Sequence, residues 1–312
     1  MRALIFLTIL ALIICSCSTH KTSISLSPEI VTNTSDTDDI AVANDGSLYG
    51  IINNNTIFTY TNNRINPFNQ ALGDGPGEIK HMTMMKSYGN NFYLYDKGNS
   101  RFAVYSPDYG FTEMMPVTEE VCSFTFINGM PFYTLAEGCQ KNDPVIHTPD
   151  SIIDAIRFDQ KDKQCVLIES GNNLIILGFD CSKPAIHIYD NEYKLIRKIK
   201  IEGRWNNTRP DPSDNNETLS PARILTDLAF DEKNSLIFTA LSGEKPGLPQ
   251  EIRIVHMNGT ELARVTLPVK DQAGSTDVKI APDQKKMILY VADDTHIYKV
   301  DYQMMITQKN IN

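Results

Sequence analysis

The chain has 312 residues and a formal net charge of −9. That length is enough for one large or two ordinary domains with a sizeable core. The acids are scattered and no Lys/Arg-rich run exists, which excludes nucleic acid and anionic lipid head groups as natural partners.

The first element, residues 1–17, reads MRALIFLTILALIICSC. One Arg, an apolar run over residues 3–14 interrupted only by Thr8, and a small residue before a cysteine are the parts of a lipoprotein export signal, cut after Ser16 with the lipid on Cys17. An ordinary signal peptide with a chance cysteine is the competing reading. A membrane span is disfavoured, because spanning takes ~20 apolar residues. The expected organisation is therefore a signal over 1–16, a lipidated cysteine and short tether over 17–21, and one folded body over 22–312. Its expected location is the cell envelope, on the periplasmic or cell-surface side of a membrane.

From residue 22 onward, short runs of Ile, Val, Leu, Phe and Tyr alternate with clusters of Asn, Asp, Gly and Ser, the pattern of β-strands and turns. Three segments share one outline: TDDIAVANDGSLYGI from Thr37, TDLAFDEKNSLIFTAL from Thr226 and TDVKIAPDQKKMILYVA from Thr276. Each is Thr-Asp, an alternating strand, a polar turn and a second strand. Segments from Met82, Cys122 and Cys165 keep the shape without Thr-Asp. Every unit continues into two more strands. Starts near Asp39, Thr83, Cys122, Cys165, Asp227 and Asp277 give six units of roughly 40–60 residues, which predicts an all-β six-bladed propeller of four-stranded antiparallel blades. Seven blades is the alternative if TSISLS from Thr22 belongs to a further unit. The reading adopted is that this strand completes the last blade, which has little chain left after Asp301. Residues 148–158, TPDSIIDAIRF, read as a short helix started by Thr148 and Pro149 or as an irregular outer strand of the third blade.

Four cysteines follow Cys17: Cys122, Cys139, Cys165 and Cys181. An even number in an exported chain suggests disulfides. The nearly equal intervals 122–139 and 165–181 each straddle a turn signal, Asn128-Gly129 and Gly171 to Asn173. A hairpin brings such positions face to face, so the expected pairs are Cys122–Cys139 and Cys165–Cys181. Four unpaired buried thiols is the competing reading. No C-x2-C pair supports zinc.

LGDGPGEI over residues 72–79 leads into a strand, a Gly-Asn turn and DKGNSRFAVYSPDYGF from Asp96. This resembles an NHL-type repeat, in which a G-x-G-P-G-E loop precedes a strand and a D-x-x-N-x-R segment opens the outer hairpin. Asp96, Asn99, Arg101 and Phe102 stand at the matching places. Together with the lipobox and the repeats, the chain resembles the NHL/TolB-like six-bladed β-propeller lipoproteins of Gram-negative gut bacteria. The resemblance covers residues 72–110 by motif and the remainder by repeat shape. It implies architecture and location rather than a ligand.

In a propeller the first strand of each blade lines a central channel. Asp39, Asp227 and Asp277 align where the chain enters three of these strands, with Glu120 close by. Such carboxylates suit a hard cation such as Ca²⁺ or a cationic or sugar ligand; alternatively each accepts backbone N–H bonds from the next blade and holds the ring together. The loops over 202–221 and 242–250 share that face, and the first carries the only tryptophan. Trp205 beside Arg204 and Arg209 suits stacking against a sugar or a peptide; packing over a blade edge is its structural alternative. His187, His256 and His296 fall in outer strands, and His81 has no nucleophile beside it, so no catalytic set assembles. GDGPGE lacks the Lys and Ser/Thr of a phosphate loop. The sequons at Asn54, Asn206, Asn216 and Asn258 and the O-glycosylation-like Asp150-Ser151-Ile152 carry little weight. The sequence thus points to a membrane-tethered binding or scaffolding module for a glycan, peptide or protein. A divalent-cation-dependent hydrolase or lyase using the channel carboxylates is the alternative.

Overall fold

The computed structural model describes residues 24–34, 36–108, 110–136, 143–157, 166–171, 173–179, 185–201, 223–243, 249–268 and 278–309. Two short strands come first, β1 (Ile24–Leu26) and β2 (Glu29–Asn33). Blade 1 follows as β3 (Thr37–Val42), β4 (Leu48–Ile52), β5 (Thr56–Thr61) and β6 (Arg64–Asn69). Blade 2 is β7 (Met82–Tyr88), β8 (Asn91–Asp96), β9 (Arg101–Tyr105) and β10 (Phe111–Pro116). Blade 3 is β11 (Val121–Ile127), β12 (Met130–Leu135), β13 (Pro144–His147) and β14 (Ile152–Arg157). Blade 4 is β15 (Val166–Gly171), β16 (Leu174–Phe179), β17 (Ala185–Asp190) and β18 (Leu195–Lys200). Blade 5 is β19 (Arg223–Asp231), β20 (Leu236–Gly243), β21 (Glu251–His256) and β22 (Glu261–Thr266). Blade 6 supplies β23 (Lys279–Asp283), β24 (Ile288–Ala292) and β25 (His296–Asp301), and a short helix α1 (Gln303–Lys309) ends the fold.

The first strand of each blade touches the first strand of the next, and β23 returns to β3, so the six sheets form a closed ring. Closure is made by β2, which pairs antiparallel with β25 and gives blade 6 its fourth strand. The expectation that the TSISLS strand would do this is corrected. That strand, β1, instead adds parallel to β22 as a fifth strand on blade 5, and the next segment closes the ring. Of the segment read as a short helix or an outer strand, Ile152–Arg157 form an outer strand. Thr148 Oγ1 does accept the Ser151 N–H at 3.0 Å, but the stiff β-branched Ile152 and Ile153 continue as β14.

Both faces of each blade are apolar, because every blade is sandwiched between two neighbours. The alternation of β9 shows the consequence. Ala103 and Tyr105 join the cluster between blades 1 and 2, while Phe102 and Val104 join the cluster between blades 2 and 3. The same holds around the ring, with one buried cluster in each of the six gaps. The apolar core is therefore a wheel of wedges, and the axis is left free. Hairpin turns follow their residues: Asn53-Asn54, Asn62-Asn63 and Asn128-Gly129 all have positive φ, as tight type I′ turns require.

The glycine loop of blade 2 is held from outside. The Arg101 guanidinium donates to the Gly75 carbonyl at 3.0 Å and the Glu78 carbonyl at 2.6 Å, and it lies 3.5 Å from the fully buried Asp96 carboxylate. Asp96 in turn accepts the N–H groups of Lys80 and His81, and Asn99 bridges Asp96 and the Gly73 carbonyl. Gly77 has φ +76° with Phe111 against it, which only glycine fits without strain.

Candidate functional site

The inner strands carry a repeated irregularity. A register shift occurs near the start of β3, β7, β11 and β19, between Thr37 and Asp39, Met82 and Met84, Val121 and Ser123, and Leu225 and Asp227. A bulge re-aims the side chain that follows it. Here the re-aimed polar groups reach the next blade. Asp39 Oδ2 accepts the Met85 N–H at 2.7 Å, Ser123 Oγ accepts the Ile168 N–H at 3.2 Å, and Asp227 Oδ2 accepts the Ile280 N–H at 2.8 Å. The other oxygen of each Asp takes the next N–H of its own strand. These groups lock blade 1 to 2, 3 to 4 and 5 to 6.

Two residues further along each inner strand, side chains again face the axis. Ala41, Lys86, Thr125, Glu169, Ala229 and Ala281, one from each blade, line the floor of a cavity of about 560 Å³. The ring is lopsided. Blades 5, 6 and 1 present alanines, and blades 2, 3 and 4 present Lys, Thr and Glu. Lys86 forms an ion pair with Glu169, joining blade 2 to blade 4 in front of blade 3. Their side chains keep 26% and 13% of their surface accessible, so both remain open to the cavity. Beside them Thr125 and Ser170 share a hydroxyl–hydroxyl bond of 2.9 Å. Higher up, Tyr88 stacks on Phe126 with ring centroids 5.0 Å apart, and Tyr193 and Phe230 line other parts of the wall. Asn128, Asn173, Asn191, Glu232 and Gln284, from the turns that end the inner and third strands, form the rim. The mouth thus opens on the turn face, opposite the face from which the chain enters the inner strands.

The electrostatics follow from burial. Burial opposes the charge on Lys86, but Glu169, Asp227 and Asp39 outweigh it and hold the ammonium pKa above its ordinary value. Burial raises the Glu169 pKa, and Lys86 opposes that rise. Burial also pushes Asp39 up to about 6, with Asp227 adding to the shift and Lys279 and Lys86 opposing it. A carboxyl whose folded pKa lies above its unfolded value stabilises the fold most when protonated, so its contribution is present below about pH 4 and is lost as pH rises through about 6. Comparing Asp39→Asn with the parent protein by thermal melts at pH 4.5 and pH 7.5 is expected to show the difference in Tm moving in favour of the parent as pH falls. A difference that stays constant would contradict this assignment.

The residues expected from sequence are thus redistributed. Asp39 and Asp227 interact electrostatically across the channel, but their carboxylates are occupied by backbone N–H groups and do not form the cavity floor. Glu120 is at the surface, 2.6 Å from Lys97. Asp277, Arg204, Trp205 and Arg209 lie outside the described residues. Among the described residues, no group of three or more His, Cys, Asp or Glu is placed to hold a metal ion. Cys122 occupies the bulge of β11, with Sγ 3.5 Å from the Val166 carbonyl of blade 4; Cys139, Cys165 and Cys181 lie outside the described residues. Lys86 and Glu169 were missed. The available signal was a charge interrupting an otherwise apolar inner strand, in MMKSY and LIES, at the period that faces the axis.

No protein-family model and no curated protein matches the sequence. Solved structures do share its shape. A member of the duf4221 family from Bacteroides vulgatus ATCC 8482 superposes with a TM-score of 0.53 at 8% identity, over 89% of this chain and 96% of that one. A chain in the crystal structure of the mitotic checkpoint complex gives a TM-score of 0.53 at 11% identity, over 87% of this chain and 92% of that one. At such identities the likeness is one of fold alone.

Proposed function

We propose that this protein is a membrane-tethered propeller that binds a glycan, peptide or protein ligand, with the axial cavity on the turn face as its seat. The cavity floor carries this reading: a closed ring leaves an accessible ion pair and a hydroxyl pair at the centre of a concave site whose accessible lining is more polar than apolar, so convergent polar groups are available to orient a ligand. The occurrence of a chain of this shape in the mitotic checkpoint complex is consistent with a binding role.

The tether belongs to the same reading. Cys17 stands seven residues before Ile24, so a lipid there would lie within ~25 Å of β1. β1 runs parallel to β22, which departs from the turn at Asn258-Gly259, so the N-terminal end of β1 faces the side of the cavity mouth. Two disulfides are proposed as well. The proposed pairs are Cys122–Cys139 and Cys165–Cys181, and peptide mapping without reductant tests both.

The test is an array of glycans, peptides and envelope proteins probed with residues 18–312 and with the Lys86→Met/Glu169→Leu double variant. Replacing both members of a buried pair by apolar side chains is close to neutral for stability, so the variant remains folded. The expected result is a bound class that the double variant loses. Binding that the double variant retains, or that only Trp205→Ala removes, would move the site away from the axis.

A further inference from the structure

We infer that the channel floor is built for a neutral, hydroxyl-rich ligand of about the size of a sugar ring. This rests on the channel being the binding seat and adds the chemistry of what it holds. Three observations lead to it.

The first is charge. The floor has one cation and one anion, and they are already paired. A charged ligand of either sign would meet its like within the pair, and separating the pair would leave the other member uncompensated in a half-buried site. A neutral ligand meets no such penalty. The second is the pattern of donors and acceptors. The ammonium has three N–H donors, of which Glu169 takes one, and the carboxylate has several lone pairs. The Ser170 hydroxyl donates to the Phe126 carbonyl at 2.6 Å and the Thr125 hydroxyl donates to Ser170, so this pair offers acceptor lone pairs beside the ammonium's free donors, and each hydroxyl of a sugar both donates and accepts. The polar arc over blades 2, 3 and 4 can therefore be matched by one polyol edge, whereas an amine can only donate and a carboxylate can only accept.

The third is shape. The facing arc over blades 5, 6 and 1 is Ala229, Ala281 and Ala41, small side chains that leave room beside the ion pair. Above the floor stands Tyr88, exposed and backed by the buried Phe126 on which it stacks, an aromatic face suited to the C–H face of a pyranose. The cavity, about 560 Å³, is large enough for one to a few such rings.

The experiment is a calorimetric titration of residues 18–312 with glucose, galactose and N-acetylglucosamine, alongside glucosamine, glucuronate and a neutral tripeptide. At least one neutral sugar is expected to bind at least tenfold more tightly than its charged counterpart. Both Lys86→Met/Glu169→Leu and Ala281→Leu, the latter filling the floor without touching the pair, are expected to abolish that binding with circular dichroism unchanged. Equal or tighter binding of the charged sugars, or neutral-sugar binding that survives in both variants, would overturn the inference. If the tripeptide alone binds and both variants lose it, the ligand class is wrong while the channel remains the seat. If nothing that binds is sensitive to either variant, the channel reading falls too.

Discussion

A protein beginning at Ser35, lacking β1 and β2, is expected to lose about 5 kcal/mol of stability, comparable to the whole margin of many domains. The four residue pairs between β2 and β25 supply ladder bonds of ~1 kcal/mol net each, and Val31, packed against the cluster between blades 6 and 1, adds ~1 kcal/mol more. The loss also exposes β25 as an open edge, which invites association between chains. Chemical denaturation should show a lower midpoint and size-exclusion chromatography a larger species. Adding the peptide of residues 24–34 in excess should reverse both. A truncated protein as stable as the parent would mean that the ring is not closed by its N-terminal strand.

Arg101→Ala should have the second largest effect, a loss of about 3 kcal/mol, because it removes the counter-ion of the fully buried Asp96 carboxylate, which keeps its bonds from Lys80, His81 and Asn99. For a chain of this size that corresponds to a fall in Tm on the order of 10 °C. It also releases the Gly75 and Glu78 carbonyls, so proteolysis should concentrate in residues 72–79. Arg101→Lys keeps the charge but not the fork that reaches two carbonyls, and should fall between the two. A melt unchanged by Arg101→Ala would show that the glycine loop is held by Asn99 and Glu78 alone.

The blades were legible because their physics is local. Asn128-Gly129 demands a hairpin turn, and the alternating apolar residues around it demand two strands facing two neighbours. The assignment of the N-terminal strands was not local. Ile24–Leu26 and Glu29–Asn33 are both short, and either could satisfy an open outer edge. The choice is made by chain length, since only Glu29–Asn33 is close enough to lead into Thr37 at the start of blade 1. The disulfide expectation rests on hairpin register alone, and Cys139, Cys165 and Cys181 lie outside the described residues.

The channel was half legible. Asp39 and Asp227 stand at equivalent positions, as the repeat outline indicates, but a sequence cannot show that the next blade's N–H groups satisfy them. Lys86 and Glu169 come from blades that are not adjacent, and their pairing exists only once the ring has closed. The binding face was therefore sought on the long loops, where the composition is irregular. The described cavity opens on the opposite side, among short Asn- and Gly-containing turns that look unremarkable in sequence.

The most direct test is a crystal structure of residues 18–312 grown with the strongest array ligand. The predicted result is ligand density inside the channel, within hydrogen-bond distance of Lys86 and Glu169 and against the Tyr88–Phe126 stack. Density confined to the opposite face, or to the outer strands with the channel holding only water, would contradict an axial binding seat.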